Sequence, residues 1–251
     1  MSWRPRALLF VAGCISACGF APLNLWPLTL LGLALLIQQI AATRRLREAA
    51  GLGSAFGVGH FVVGLNWIAT AFTYQDNMPA WIGWAAVVLL SLFLALYPAL
   101  AAAIAWRTSH RNPLRLAFVF AAAWMLTEWL RATLLTGFAW NPLAAVWLEL
   151  PWVAQGARWI GTYGMSGLAV LVAGLFWFGI LRQWRITAAV TVALWALAFW
   201  LGRMIAAADA PSSAAAIPFR IVQPNISQNE KYDPHEADRN TSIYARLSGA
   251  P

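Results

Sequence analysis

Long apolar runs alternate with short polar breaks, most of them carrying arginine, along the first four-fifths of the chain. Apolar runs of about 17–25 residues can cross a bilayer as helices, because only closed backbone hydrogen bonding survives in hydrocarbon. About seven such runs are legible, over roughly 6–21, 24–43, 51–72, 81–107, 114–133, 163–182 and 186–206. Between the first two, FAPLNLWP puts Pro22 and Pro27 at a tight re-entry. Residues 134–162 break the rhythm with a long connection. Inside it, LPWVAQGARWIGTYG sets Trp152, Val153, Trp159 and Ile160 beside Gln155 and Arg158, the pattern of a helix lying in the membrane interface.

The pattern changes after residue 206. AADAPSSAAAI (207–217) is small and contains proline, and reads as a linker. PFRIVQ (218–223) predicts a short strand ended by Pro224. DPHE (233–236) predicts a helix start, with Asp233 as N-cap, Pro234 at N1 and Glu236 at N3, and the helix runs to about Leu247. The expected architecture is an all-α polytopic membrane bundle over 1–206, a linker over 207–217, and the β-α opening of an α/β domain over 218–251. That last segment is too short to bury a core of its own.

Composition sharpens the membrane reading. The chain is 61% hydrophobic and 10% charged, with a mean hydropathy of +0.64. Soluble domains average about 45–50% apolar and about 25% charged. The net charge of +8 does not indicate nucleic acid. Lys231 is the single lysine, and the arginines cluster between apolar runs rather than on a polar surface. With the N-terminus cytoplasmic, the inner segments carry Arg4 and Arg6, then Arg44, Arg45 and Arg47, then Arg107, Arg111 and Arg115, then Arg182 and Arg185. The outer ones carry Arg158 and Arg203, with Arg131 near the outer end of a span. This obeys the positive-inside rule and puts the C-terminal tail outside, which is the periplasm in a cell that has one.

Chemistry-bearing residues are few. Cys14 and Cys18 share one helix face in the first apolar run and lack a His or Lys partner nearby, so neither reads as a nucleophile. VAGC, ending at Cys14, imitates a lipoprotein cleavage site, but the apolar run continues past it and more spans follow. Gly53 and Gly57 form a GxxxG pair, extended by Gly64, which reads as a packing face. His60 lies within the same span. It is either a functional intramembrane group or a neutral imidazole satisfied by a neighbouring hydroxyl or carbonyl. The densest constellation is TEWLRATLLTGFAWNPL (127–143). Glu128 and Arg131 sit at i,i+3 near the outer end of an apolar helix, where a lone charge costs roughly 2.5–3.5 kcal/mol. They form either a structural ion pair or a polar notch that admits a lipid headgroup. Gly137 allows a bend, Phe138 and Trp140 suit acyl chains, and Asn141 offers an amide at headgroup depth. The chain contains no HExxH, GxSxG, Walker A or metal-ligand cluster, and no cofactor is expected.

FAPLNLWPL (20–28), GLNWIATAF (64–72), EWLRATLLTGFAWN (128–141) and RIVQPNISQNEKYDP (220–234) occur in this order. In that order and spacing the chain resembles the apolipoprotein N-acyltransferase family of bacterial inner membranes. The resemblance implies a membrane domain followed by a periplasmic nitrilase-like αββα domain with a Glu, Lys and Cys triad. It also implies a ping-pong reaction: the Cys takes an acyl chain from a phospholipid donor as a thioester. The α-amino group of a diacylated apolipoprotein, the acceptor, then receives it. No residue of the 251 maps onto the triad, so the expectation is a fragment, inactive alone and with no catalytic residue. It would hold the substrate and lipid-binding candidates Glu128, Arg131, Gly137, Phe138, Trp140 and Asn141. A small membrane transporter and a non-catalytic lipid-binding membrane module remain the alternatives, and the oligomeric state is open.

Overall fold

The computed structural model describes residues 3–74, 79–109, 111–135, 137–182, 185, 189, 192, 193, 196, 199, 200, 202–204, 220–231 and 233–249. The main helices are α1 (Arg4–Ala17), α2 (Trp26–Ala42), α3 (Leu46–Gly64), α4 (Trp67–Phe72), α5 (Trp81–Leu94), α6 (Leu96–Ser109), α7 (Pro113–Thr133), α8 (Pro151–Ala154) and α9 (Ala157–Arg182). Prolines open α1, α2 and α7, where a missing backbone N–H costs nothing. Asn112 caps α7 by accepting the N–H of Arg115 at 3.0 Å.

Six of these helices form a closed ring. α1 packs on α3, α3 on α6, α6 on α7, α7 on α9, α9 on α2, and α2 back on α1. α5 lies against α3 and joins α6 through a break at Ala95, while α4 packs on α5. Facing residues give the directions. Arg6 meets Gly51 and Phe10 meets Gly59, so α1 and α3 run parallel. Gly53 meets Ala102 and Gly57 meets Ala95, so α3 and α6 run antiparallel, as do α7 and α9, where Gly167 meets Met125 and Gly174 meets Ala117.

The α1–α3 seam is the closest. A Cβ on Gly13 would collide with the carbonyl of Phe56, and one on Gly59 with the carbonyl of Phe10. Two hydrogens in place of side chains let the two backbones touch. Gly53 and Gly57 do the same toward α6, which makes the GxxxG pair a packing face.

The bundle is apolar inside and out. Leu9, Leu36, Ile37, Phe56 and Phe120 are fully buried, while Leu89 and Phe118 are 68% and 52% exposed on the outer surface. Outward apolar faces on this scale suit lipid rather than water. Trp81–Ser109, Pro113–Thr133 and Ala157–Gly179 are long and apolar enough to cross a membrane. α1, with 14 residues, rises about 21 Å, less than the roughly 30 Å of hydrocarbon.

The connection over 150–164 departs from a single interfacial helix. It holds α8, a turn at Gln155 and Gly156, and then the start of α9, which breaks at Gly161 (φ +69°). Trp159 is 73% exposed, yet Val153 faces the core. The short turns satisfy successive backbone groups without one continuous face. In the tail, residues 220–223 form no strand, since a lone extended segment has no neighbour with which to share a ladder. Residues 218–219 and the linker 207–217 lie outside the described residues, as does much of the expected span over 186–206. The expected helix start is present: Asp233 accepts the N–H of His235 at 2.9 Å, ahead of the helix Ala237–Gly249. Asn240 is the one buried side chain among the described tail residues.

Candidate functional site: a buried ion pair beneath a bent strap

The arginine clusters share one end of the ring. Trp106 near the end of α6 donates to the carbonyl of Thr43 after α2 at 3.1 Å, and Arg6 lies against Gly51. The opposite end carries the polar site. There the last turns of α7 hold Glu128 and Arg131, which are 5% and 3% exposed and joined at 3.3 Å.

Beyond α7 the chain folds back over this pair as a strap. The C-terminal turn of α7 ends with the N–H of Phe138 donating to the carbonyl of Arg131 at 2.8 Å. Gly137 has φ +78°, and a Cβ there would strike the carbonyl of Ala132, so the reversal needs glycine. Asn141 also takes a left-handed backbone conformation, φ +50°.

Both Nη atoms of Arg131 and Oε1 of Glu128 reach the strap. Arg131 Nη1 donates to the carbonyl of Trp140 at 3.0 Å, and Nη2 donates to the carbonyl of Asn141 at 3.4 Å as well as to Glu128 Oε1. Glu128 Oε1 accepts the N–H of Leu143 at 2.8 Å. The Arg131 guanidinium lies over the ring of Phe61 on α3, 5.2 Å from its centroid. Asn141 Nδ2 donates to the carbonyl of Gly64 at 2.6 Å, which ties the strap to α3. Glu128 Oε2 is buried and makes no hydrogen bond. A small cavity beside it, with room for about one water, is lined by His60, Phe61, Tyr97, Thr127, Glu128 and Arg131, among others.

The six residues singled out by the sequence therefore meet in one place but face different ways. Glu128 and Arg131 point inward. Phe138 also turns inward, onto Phe61, Leu65 and Leu94, rather than along lipid. Trp140 points outward, 62% exposed, with its ring 5.6 Å from that of Trp67 in an edge-on contact. His60 is 4% exposed among Phe20, Phe56 and Phe61, and its Nδ1 lies 2.7 Å from the hydroxyl of Ser16. The hydroxyl partner is the satisfied-imidazole alternative in physical form.

Sequence reasoning passed over Ser16, Phe61, Trp67, the Gly64 carbonyl and the Leu143 amide. Gly64 and Trp67 stand in GLNWIATAF, one of the stretches that carry the family resemblance, and that was the available signal. Ser16 is an ordinary serine in an apolar run, and a backbone amide leaves no trace in side-chain identity.

An all-helical membrane bundle with a charged pair buried at its arginine-poor end is the class these features define. The chain belongs to the apolipoprotein N-acyltransferase N-terminal domain family, which it matches over residues 12–175. It is similar to an apolipoprotein N-acyltransferase of Ralstonia nicotianae, 33% identical over 243 residues, covering 96% of this chain and 46% of that protein. One from Brucella suis is 36% identical over 252 residues, with 98% of this chain and 45% of that protein covered. One from Nitrosomonas europaea is 30% identical over 254 residues, with coverages of 95% and 48%. The chain spans about half the length of the curated relatives it matches.

Proposed function

We propose that this chain is the lipid-handling membrane portion of an apolipoprotein N-acyltransferase. In this reading it crosses a bacterial inner membrane about seven times, with the N-terminus cytoplasmic and residues 218–251 opening a periplasmic nitrilase-like domain. The acyl donor is a phospholipid. The acceptor is the N-terminal diacylglyceryl-cysteine of an apolipoprotein, reached through a thioester on a Cys of the nitrilase-like domain. We assign no catalytic role to any of the 251 residues. Their part is to bring an acyl chain out of the bilayer at the strap end, where exposed Trp140, Trp67, Leu134 and Leu135 meet a polar interior.

The observation that carries the reading is the family match over 12–175, in a bundle whose polar site lies at the end opposite the arginine clusters. The antiparallel pairs α3–α6 and α7–α9 support a multi-pass arrangement, and the arginine clusters at the opposite end favour the site end as the outside one. The reading is tested by joining residues 1–251 to the remaining half of the Ralstonia nicotianae relative. Transfer of palmitate from phospholipid to a diacylated lipopeptide is then assayed in proteoliposomes. The joined protein is expected to transfer and the 251-residue chain alone to be inactive. Transfer by the chain alone, or a folded joined protein with no activity, counts against it.

A further inference from the structure

An arginine that receives a phosphate keeps N–H groups aimed at the space the anion will occupy. Arg131 does not. It is 3% exposed, and its Nη1 and Nη2 serve the carbonyls of Trp140 and Asn141 and the carboxylate of Glu128. That carboxylate holds the amide of Leu143. The pair thus grips three backbone groups of the strap, at 140, 141 and 143. Beside this grip the strap is held by the Asn141 amide on the Gly64 carbonyl and by Phe138 packed inward, and its bend depends on left-handed residues at Gly137 and Asn141. The side chain that leaves the strap for the surface is Trp140, edge-on to Trp67.

We propose that Glu128 and Arg131 are positioning residues: they clamp the strap 137–143 through its backbone and so hold Trp140 against Trp67 as the surface that touches phospholipid. The lipid half of this rests on the function proposed above; the clamp itself does not. Because the grip is on main chain, the side chains at 140 and 141 do not determine it, whereas the guanidinium fork does. Lysine, with one nitrogen, cannot reach two carbonyls and the carboxylate in the same geometry.

The test uses the 251-residue chain in nanodiscs of phosphatidylethanolamine and phosphatidylglycerol. The double variant Glu128→Leu with Arg131→Met removes both charges together, which avoids an uncompensated buried ion. Three quantities are read: the thermal unfolding midpoint, hydrogen exchange of the strap amides, and phospholipid photocrosslinking from benzoylphenylalanine at position 140. The midpoint is expected to hold, while strap exchange rises about tenfold or more and crosslinking falls severalfold. Arg131→Lys, which keeps the charge, is expected to fall between, and it decides the matter if the double variant does not fold. Unchanged strap exchange in a folded variant overturns the clamp. A native chain that yields no lipid adduct at 140 overturns the lipid contact, and strap opening in the variants then still supports the clamp.

Discussion

The two ends of the ring use arginine in opposite ways. At one end Arg4, Arg44, Arg45, Arg47, Arg107, Arg111 and Arg115 are all exposed. At the other, Arg131 is 3% exposed and makes four contacts across three elements: a carboxylate, two carbonyls and an aromatic face. An exposed guanidinium keeps its water, so its fixed neighbours matter little and its charge acts over distance, on topology. A buried one has given up its water and must recover that loss from specific partners. The same side chain therefore stays hydrated at one end, where the proposed topology uses its charge, and fixes the course of the backbone at the other.

Identical substitutions at the two ends separate these roles most widely. Arg131→Met leaves Glu128 buried without its partner and is expected to cost about 3–5 kcal/mol, read as a fall in unfolding midpoint in detergent. A loss no larger than that of an exposed arginine would erase the contrast. Between the ends, the α1–α3 seam sets the next effect. Gly59→Val drives a side chain into the Phe10 carbonyl and is expected to cost about 1–3 kcal/mol or more, checked by the same melt. Ser16→Ala leaves the buried Nδ1 of His60 without its hydroxyl. It is expected to cost about 1–3 kcal/mol, with Ser16→Thr recovering part of it. The smallest effect belongs to Arg45→Met, within about 0.5 kcal/mol, because this side chain is exposed. A large loss there would show that the arginine-rich end is structurally committed as well.

How much of this was legible follows from the physics of each part. The helices announced themselves because hydrocarbon demands long apolar runs. The expected segments at 24–43, 81–107 and 114–133 correspond to Trp26–Ala42, Trp81–Ser109 and Pro113–Thr133. Gly53 and Gly57 were readable as a packing face, since small residues at that spacing have few other uses in a membrane. Asp233 was readable as a cap because its oxygen acts on the next turn, a local matter. The ring itself was not readable. Which helix neighbours which depends on contacts between residues far apart in the chain, such as Gly13 with Phe56. The site was half visible. Glu128 and Arg131 stood out as charges in an apolar setting, but the direction each faced did not, because that is decided by backbone groups at 140, 141 and 143. Phe138 and Trp140, two residues apart and alike in character, go to opposite environments. The turn at Gly137 and the grip of the pair on the backbone at 140 and 141 decide which goes where.

Closure of the ring has a consequence for biosynthesis. α9 is the last of the six to emerge from the ribosome, and it is the piece that bridges α2 to α7. α2 already touches α7 directly, so until residues 157–182 are inserted a nascent chain leaves bare only the faces of α2 and α7 that α9 covers. Those faces meet lipid or the insertion machinery until then. An arrest-peptide scan along the chain is expected to register a pulling event only once that stretch has left the exit tunnel, and a peak well before it would mean that the shorter assembly is already sealed.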